Sequence, residues 1–96
     1  MKEVEFIFSP LALNDIEDAV LYYENAQDGL GNKFSSQLLT TITSIKRNPF
    51  FAAVRYNDIR CAQLKHFPYL VHYHIDEKKM IVRIIAVYST HREPLT

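Results

Sequence analysis

The 96-residue chain has one cysteine, two glycines, no net charge and no long apolar run. Cys61 has no second cysteine to pair with, so an internal disulfide is excluded and nothing points to an oxidising compartment. No apolar stretch approaches the roughly 20 residues of a membrane-spanning helix. The start, Met1-Lys2-Glu3-Val4-Glu5, carries acids and does not resemble a secretion signal. The expectation is a cytoplasmic protein with no membrane partner. Eleven Lys and Arg balance eleven Asp and Glu, so overall charge makes no case for nucleic acid. The charge is unevenly placed, however. Residues 14–28 hold Asp15, Glu17, Asp18, Glu24 and Asp28 with no Lys or Arg, and from Lys46 onward basic residues outnumber acids. That polarity suits an anionic partner near the basic half, or an ordinary solvated surface.

What the chain has is hydrophobic period. Its length fits one domain, residues 1–96. The last third reads as two strands, Tyr69–Ile75 and Met80–Tyr88, joined by the charged turn Asp76-Glu77-Lys78-Lys79. Alternation puts Tyr69, Val71, Tyr73 and Ile75 on one face and Leu70, His72 and His74 on the other. The run Ile81–Val87 is nearly all apolar and β-branched, which predicts a strand in the middle of a sheet, covered on both faces. Upstream, Glu3–Phe8 alternates as a short strand, and Ser9-Pro10 is a helix start, with a capping hydroxyl before a proline that has no N–H to leave unpaired. Leu13, Ile16, Val20 and Tyr23 follow at helical spacing to about Ala26. Both glycines fall in the turn 27–32, and a second helix over 32–47 carries Phe34, Leu38, Ile42 and Ile45 until Asn48-Pro49 stops it. Phe50–Asp58 keeps no clean period and is expected to be a loop or short strand under the helices. Ile59–His66 is a further strand, turned by His66-Phe67-Pro68. The predicted class is α+β, in the order β-α-α-β-β-β, with a helical hairpin packed on an antiparallel sheet of three to four strands.

Few residues carry chemistry. His72 and His74 share a strand face, as a two-histidine metal site would require, but no cysteine pair or flanking carboxylate completes a shell, so no metal is expected. Ser89-Thr90-His91 lacks a carboxylate to orient the imidazole, and Gly29-Leu30-Gly31 lacks the Lys-Ser or Lys-Thr of a phosphate loop. The remaining set is Arg60, His72, His74, Arg83, His91 and Arg92, with Tyr69, Tyr73 and Tyr88 nearby. Arginine beside aromatics either binds phosphates and stacks on bases or forms a protein–protein hot spot.

The order of several short signals adds a family resemblance. They are the opening strand into Ser9-Pro10, Tyr22-Tyr23-Glu24 with Gly29-Leu30-Gly31 and Phe34, and Asn48-Pro49. Arg60, Phe67-Pro68-Tyr69 with Tyr73, Ala86-Val87 and Arg92-Glu93-Pro94 follow over about ninety residues. In this the chain resembles the RelE/ParE superfamily of type II toxin–antitoxin toxins, most closely its ParE-like, plasmid-stabilisation branch. The resemblance implies a helical hairpin on an antiparallel sheet, a cognate antitoxin from the adjacent gene, and no cofactor; self-association is left open. It implies inhibition of DNA gyrase by binding, with Arg60, Tyr69, His72, Tyr73, Arg83, Tyr88, His91 and Arg92 as the contact set for target or antitoxin. The alternatives are a ribosome-dependent messenger-RNA endoribonuclease of the RelE type, with Arg60, Arg83, His91 and Arg92 facing the phosphate, or a non-toxic antitoxin-binding module. Leu70 stands where the ribonuclease branch has an arginine, the basic pair Lys46-Arg47 lies further upstream, and the chain ends at Thr96 near where a tail tyrosine would fall. Ser89 stands where many ParE-like relatives have histidine.

Overall fold

A computed structural model describes residues 4–89. Strand β1 (Glu5–Phe8) leads into helix α1 (Pro10–Ala26), which turns into helix α2 (Leu30–Arg47). Four strands follow: β2 (Val54–Tyr56), β3 (Ile59–Gln63), β4 (Tyr69–Asp76) and β5 (Ile81–Ser89). They form one sheet in the order β1-β5-β4-β3-β2, with both helices on one face. The α+β class and element order match the sequence reading, but the sheet has five strands and is mixed. β1 runs parallel to β5, pairing Glu5 with Ile81 and Phe8 with Ile84, and every other pair is antiparallel. The cause is β5 itself. An apolar strand needs partners on both edges, β4 supplies one, and β1 arrives on the other.

Within the stretch 50–58 the short strand is β2, which lies at the far edge of the sheet with Val54 49% exposed, while Ala52 just before it is buried in the core. The hairpin to β3 turns on Asn57 and Asp58, both at positive φ (43° and 62°), the geometry that twists a two-residue turn to match its strands.

The helix hairpin closes through one acidic side chain. α2 starts behind Gly29, at φ 86°, which offers no side-chain cap. The Glu24 carboxylate of α1 supplies it, accepting the backbone N–H of Gly29 at 3.0 Å and of Gly31 at 3.0 Å. At Gly31 the two helices also come close: a Cβ there would lie 2.9 Å from the Val20 carbonyl oxygen. Phe34, Ile45, Val71, Tyr73, Val82 and Ile84 have no measurable exposure and form the centre of the core. Each apolar side chain so buried contributes roughly 1.5–3 kcal/mol. At one end Tyr23, Phe34, Phe67 and Tyr69 form an aromatic cluster, with centroids 4.8 to 5.9 Å apart.

A β-bulge interrupts β5. His72 pairs with Ala86 and Tyr73 with Ile84, so Ile85 is the extra residue. Before it Val82 and Ile84 face the helices; beyond it Val87 does. Ser9 fastens the bulge to α1. Its hydroxyl donates to the Ile85 carbonyl at 2.7 Å and accepts the Ala12 N–H at 3.0 Å, while its own N–H donates to the Ile84 carbonyl at 3.0 Å. Asp15, further along α1, accepts the Val87 N–H at 3.0 Å. β5 is therefore central, as expected, but covered fully on one face only. Ile81, Arg83 and Ile85 stay half-buried on the other.

Candidate functional site

The face of the sheet away from the helices holds the polar cluster that sequence reasoning only half anticipated. His72 in β4 lies opposite Cys61 in β3 and Ala86 in β5. It is 1% exposed, not on a partly solvated face. The Tyr88 ring stacks on its imidazole at 4.2 Å, and the Tyr56 ring tilts against it at 5.8 Å. Its Nδ1 faces the Tyr56 hydroxyl at 2.9 Å and the Cys61 thiol at 3.2 Å.

Burial sets the charge state of this cluster. It pushes the Tyr56 hydroxyl up to about 12, with smaller contributions from Tyr88 and Cys61. Burial also raises the Cys61 thiol, partly offset by the charge of Arg55. The His72 imidazole is pulled down to about 4, chiefly by burial and secondarily by Arg55. At neutral pH the hydroxyl, the thiol and the imidazole are thus all uncharged, with the hydroxyl and the thiol converging on Nδ1. Nε2 is buried and has no hydrogen-bond partner among the described residues. A neutral imidazole locked between two tyrosines is poorly placed to exchange protons with a substrate. It serves to pin β2, β3, β4 and β5 together on the uncovered face.

Around this centre the exposed groups are sparse. His74 pairs directly with Arg83 across β4 and β5, and Arg83 reaches the Asp76 carboxylate at 3.7 Å. Such an exposed pair contributes little to stability, so Arg83 is available to a partner. The carboxyl of Asp76 is held below its ordinary value, first by the Lys79 backbone N–H and also by the charges of Lys79 and Arg83.

The expected constellation is thus divided by the sheet. Arg60 and Tyr73, paired across β3 and β4, belong to the helix side. Arg60 donates to the Ala52 carbonyl at 2.7 Å and lies over the Phe50 ring at 5.1 Å. Tyr73 is wholly buried and donates its hydroxyl to the Pro49 carbonyl at 2.7 Å. Together they hold the connection from α2 to β2. Tyr69 sits in the aromatic cluster, also on the helix side. His72, His74, Arg83 and Tyr88 share the uncovered face. Arg60 and His74 meet only at the molecule's edge, lining a notch of about 300 Å³ with Phe50 and Asp58. His91 and Arg92 lie outside the described residues. Tyr56, Cys61 and Arg55 were missed. Cys61 was legible once β3 and β4 were paired through their turn, whereas Tyr56 sits in the stretch without period. No cluster of three or more metal-ligating side chains occurs among the described residues.

A helical hairpin on one face of a five-stranded sheet is an arrangement shared with toxin–antitoxin proteins of known structure. The chromosomal ParDE system of P. aeruginosa superposes with a TM-score of 0.74 at 12% identity, over 91% of this chain and 96% of the matched one. The intact E. coli RelBE complex gives 0.69 at 20%, over 93% and 99%. The isolated E. coli RelE toxin gives 0.69 at 18%, over 94% and 87%. At these identities the likeness defines the fold. No curated protein matches the sequence. A family model, the ParE toxin of the type II toxin–antitoxin system parDE, matches residues 6–94, and the chain belongs to that family.

Proposed function

We propose that this chain is the toxin of a type II module, restrained by a cognate antitoxin from the adjacent gene, and that it acts in the cytoplasm by binding DNA gyrase. The match to the ParE family over residues 6–94 carries this reading. Site geometry favours binding over RNA cleavage. Cleavage needs a proton-transferring group near working pH and cations free to meet the phosphate. His72 is neutral and covered, and the Arg60 guanidinium is held by a backbone carbonyl and an aromatic ring. A ribonuclease would then rest on Arg83 with His91 and Arg92. A binding toxin needs only a surface, and the uncovered sheet face with Arg83 and His74 offers one. The test is induced expression with and without the neighbouring gene product, followed by two assays on purified protein. The expected result is lost viability rescued by the partner, inhibited gyrase supercoiling and intact messenger RNA on ribosomes. Ribosome-dependent RNA cleavage with unimpaired gyrase would overturn the assignment.

A further inference from the structure

Helix α1 takes over one edge of β5 where β1 stops. β1 pairs with β5 as far as Ile84; beyond it Ser9 holds the Ile85 carbonyl and Asp15 holds the Val87 N–H. The other edge of β5 stays paired with β4 up to Ser89, opposite Tyr69. Pro68, the residue before Tyr69, has no N–H with which to lengthen that ladder. At this end of β5, Asp15, Asp18, Ala19 and Tyr22 of α1 form a notch of about 250 Å³ with Tyr69 and Ser89. Its described lining holds two carboxylates and no basic side chain. Asp18 is exposed, and Tyr22 is 65% exposed. Asp15 and Asp18 are three residues apart on one helix face, a spacing at which like charges repel.

We propose that this notch seats the chain's own next segment, residues 90–96, with the Arg92 guanidinium between the carboxylates of Asp15 and Asp18 and its flat face on the Tyr22 ring. Two observations choose this occupant. The first is attachment. Ser89 itself lines the notch, and three residues span at most about 10–11 Å, so Arg92 is tethered within reach of both carboxylates. A tether that short supplies the segment at an effective concentration on the order of millimolar, without any partner to recruit. The second is charge. Arg92 is the one Lys or Arg within residues 90–96, and residues 14–28 of α1 and its turn hold five acids and no Lys or Arg to compete with it. A guanidinium suits the seat, because its planar fork of donors can bridge two carboxylates while its face stacks on an aromatic ring. Arg92 is then a positioning residue that ties the end of β5 to α1, and its charge is turned inward rather than offered to a target. The inference is independent of the target proposed above, because its test uses the chain alone.

Nuclear magnetic resonance of the pure full-length chain tests it. The expected result is through-space contact between the Arg92 side chain and the Tyr22 ring, with slowed hydrogen exchange at the amides of residues 90–92. Asp18→Asn and Arg92→Gln should each abolish the contact and speed that exchange by about two- to fivefold, as for a partly exposed ion pair, leaving the β4 amides unchanged. The exchanged pair, Asp18→Arg with Arg92→Asp, should restore the slow exchange. Absence of the contact in the wild-type chain overturns the proposal, as does exchange that neither single variant alters or that the exchanged pair fails to restore. A mixture of differently labelled copies separates the remaining occupants. Contact between labels assigns the seat to the tail of a second copy, and contact that appears only when the neighbouring gene product is added assigns the order to that partner; either result refutes docking within one chain.

Discussion

His72 should make the protein acid-sensitive in a window set by one side chain. Its imidazole ionises at about 4 in the fold against 6.5 in the unfolded chain. Between those values the unfolded state binds a proton that the folded state refuses, so stability falls as the pH falls. The contribution is fully present above 6.5 and lost by about 4. Linkage gives a loss of about 2 kcal/mol from about pH 7.5 to about pH 5. For a domain of this size that lowers the urea midpoint by about 1–2 M. Urea unfolding at the two pH values, on wild type and on His72→Gln, measures it. Glutamine keeps an acceptor for the Tyr56 hydroxyl and cannot titrate, so the variant should begin less stable and lose much less on acidification. Asp76 does not confuse the comparison, because its lowered carboxyl releases its contribution only as the pH falls through and below 3.8. Equal acid losses in wild type and variant would refute the assignment of a buried neutral imidazole.

Other perturbations test other joints. Gly31→Ala should destabilise by about 1–2 kcal/mol, because crowding against the Val20 carbonyl exceeds the gain in helix propensity. Thermal unfolding should show a Tm lower by roughly 4–8 °C per kcal/mol, and an unchanged or raised Tm would refute the close approach. Ser9→Ala removes both the cap of α1 and the donor to the bulge carbonyl, and should cost about 1–2 kcal/mol in chemical denaturation. Arg83→Ala should leave the thermal transition nearly unchanged but weaken gyrase inhibition in a supercoiling titration. Full potency in a folded variant would remove Arg83 from the contact surface.

Local signals in the sequence were read well, and distant pairings were not. Ser9-Pro10, the apolar stripe of α2 and the β-branched run of β5 each announce their element because the determining residues are neighbours. The Ser9 hydroxyl caps α1 as its position implied, yet its second bond reaches a bulge that nothing local foretells. β1 was legible as a strand, but its parallel partner was not, because alternation states which face is buried and not which strand lies alongside. The same limit explains His72. Its face was read correctly, yet its burial comes from Tyr56 and Tyr88, which only the assembled sheet brings to it. Asn57-Asp58 was the missed local signal, a dipeptide tolerant of positive φ between Tyr56 and Ile59. Arg60 and Arg83, alike in sequence as lone cations within strands, part company because β3 turns one toward the α2–β2 connection and β5 turns the other outward.

The pairing of β1 with β5 also orders events in time. The bond from Ser9 to Ile85 spans 76 residues, so the first strand has no partner strand to join until β5 has been synthesised. The helical hairpin, closed by Glu24 across a short turn, can form long before. A newly made chain therefore passes through a stage with its helices built and its opening strand waiting.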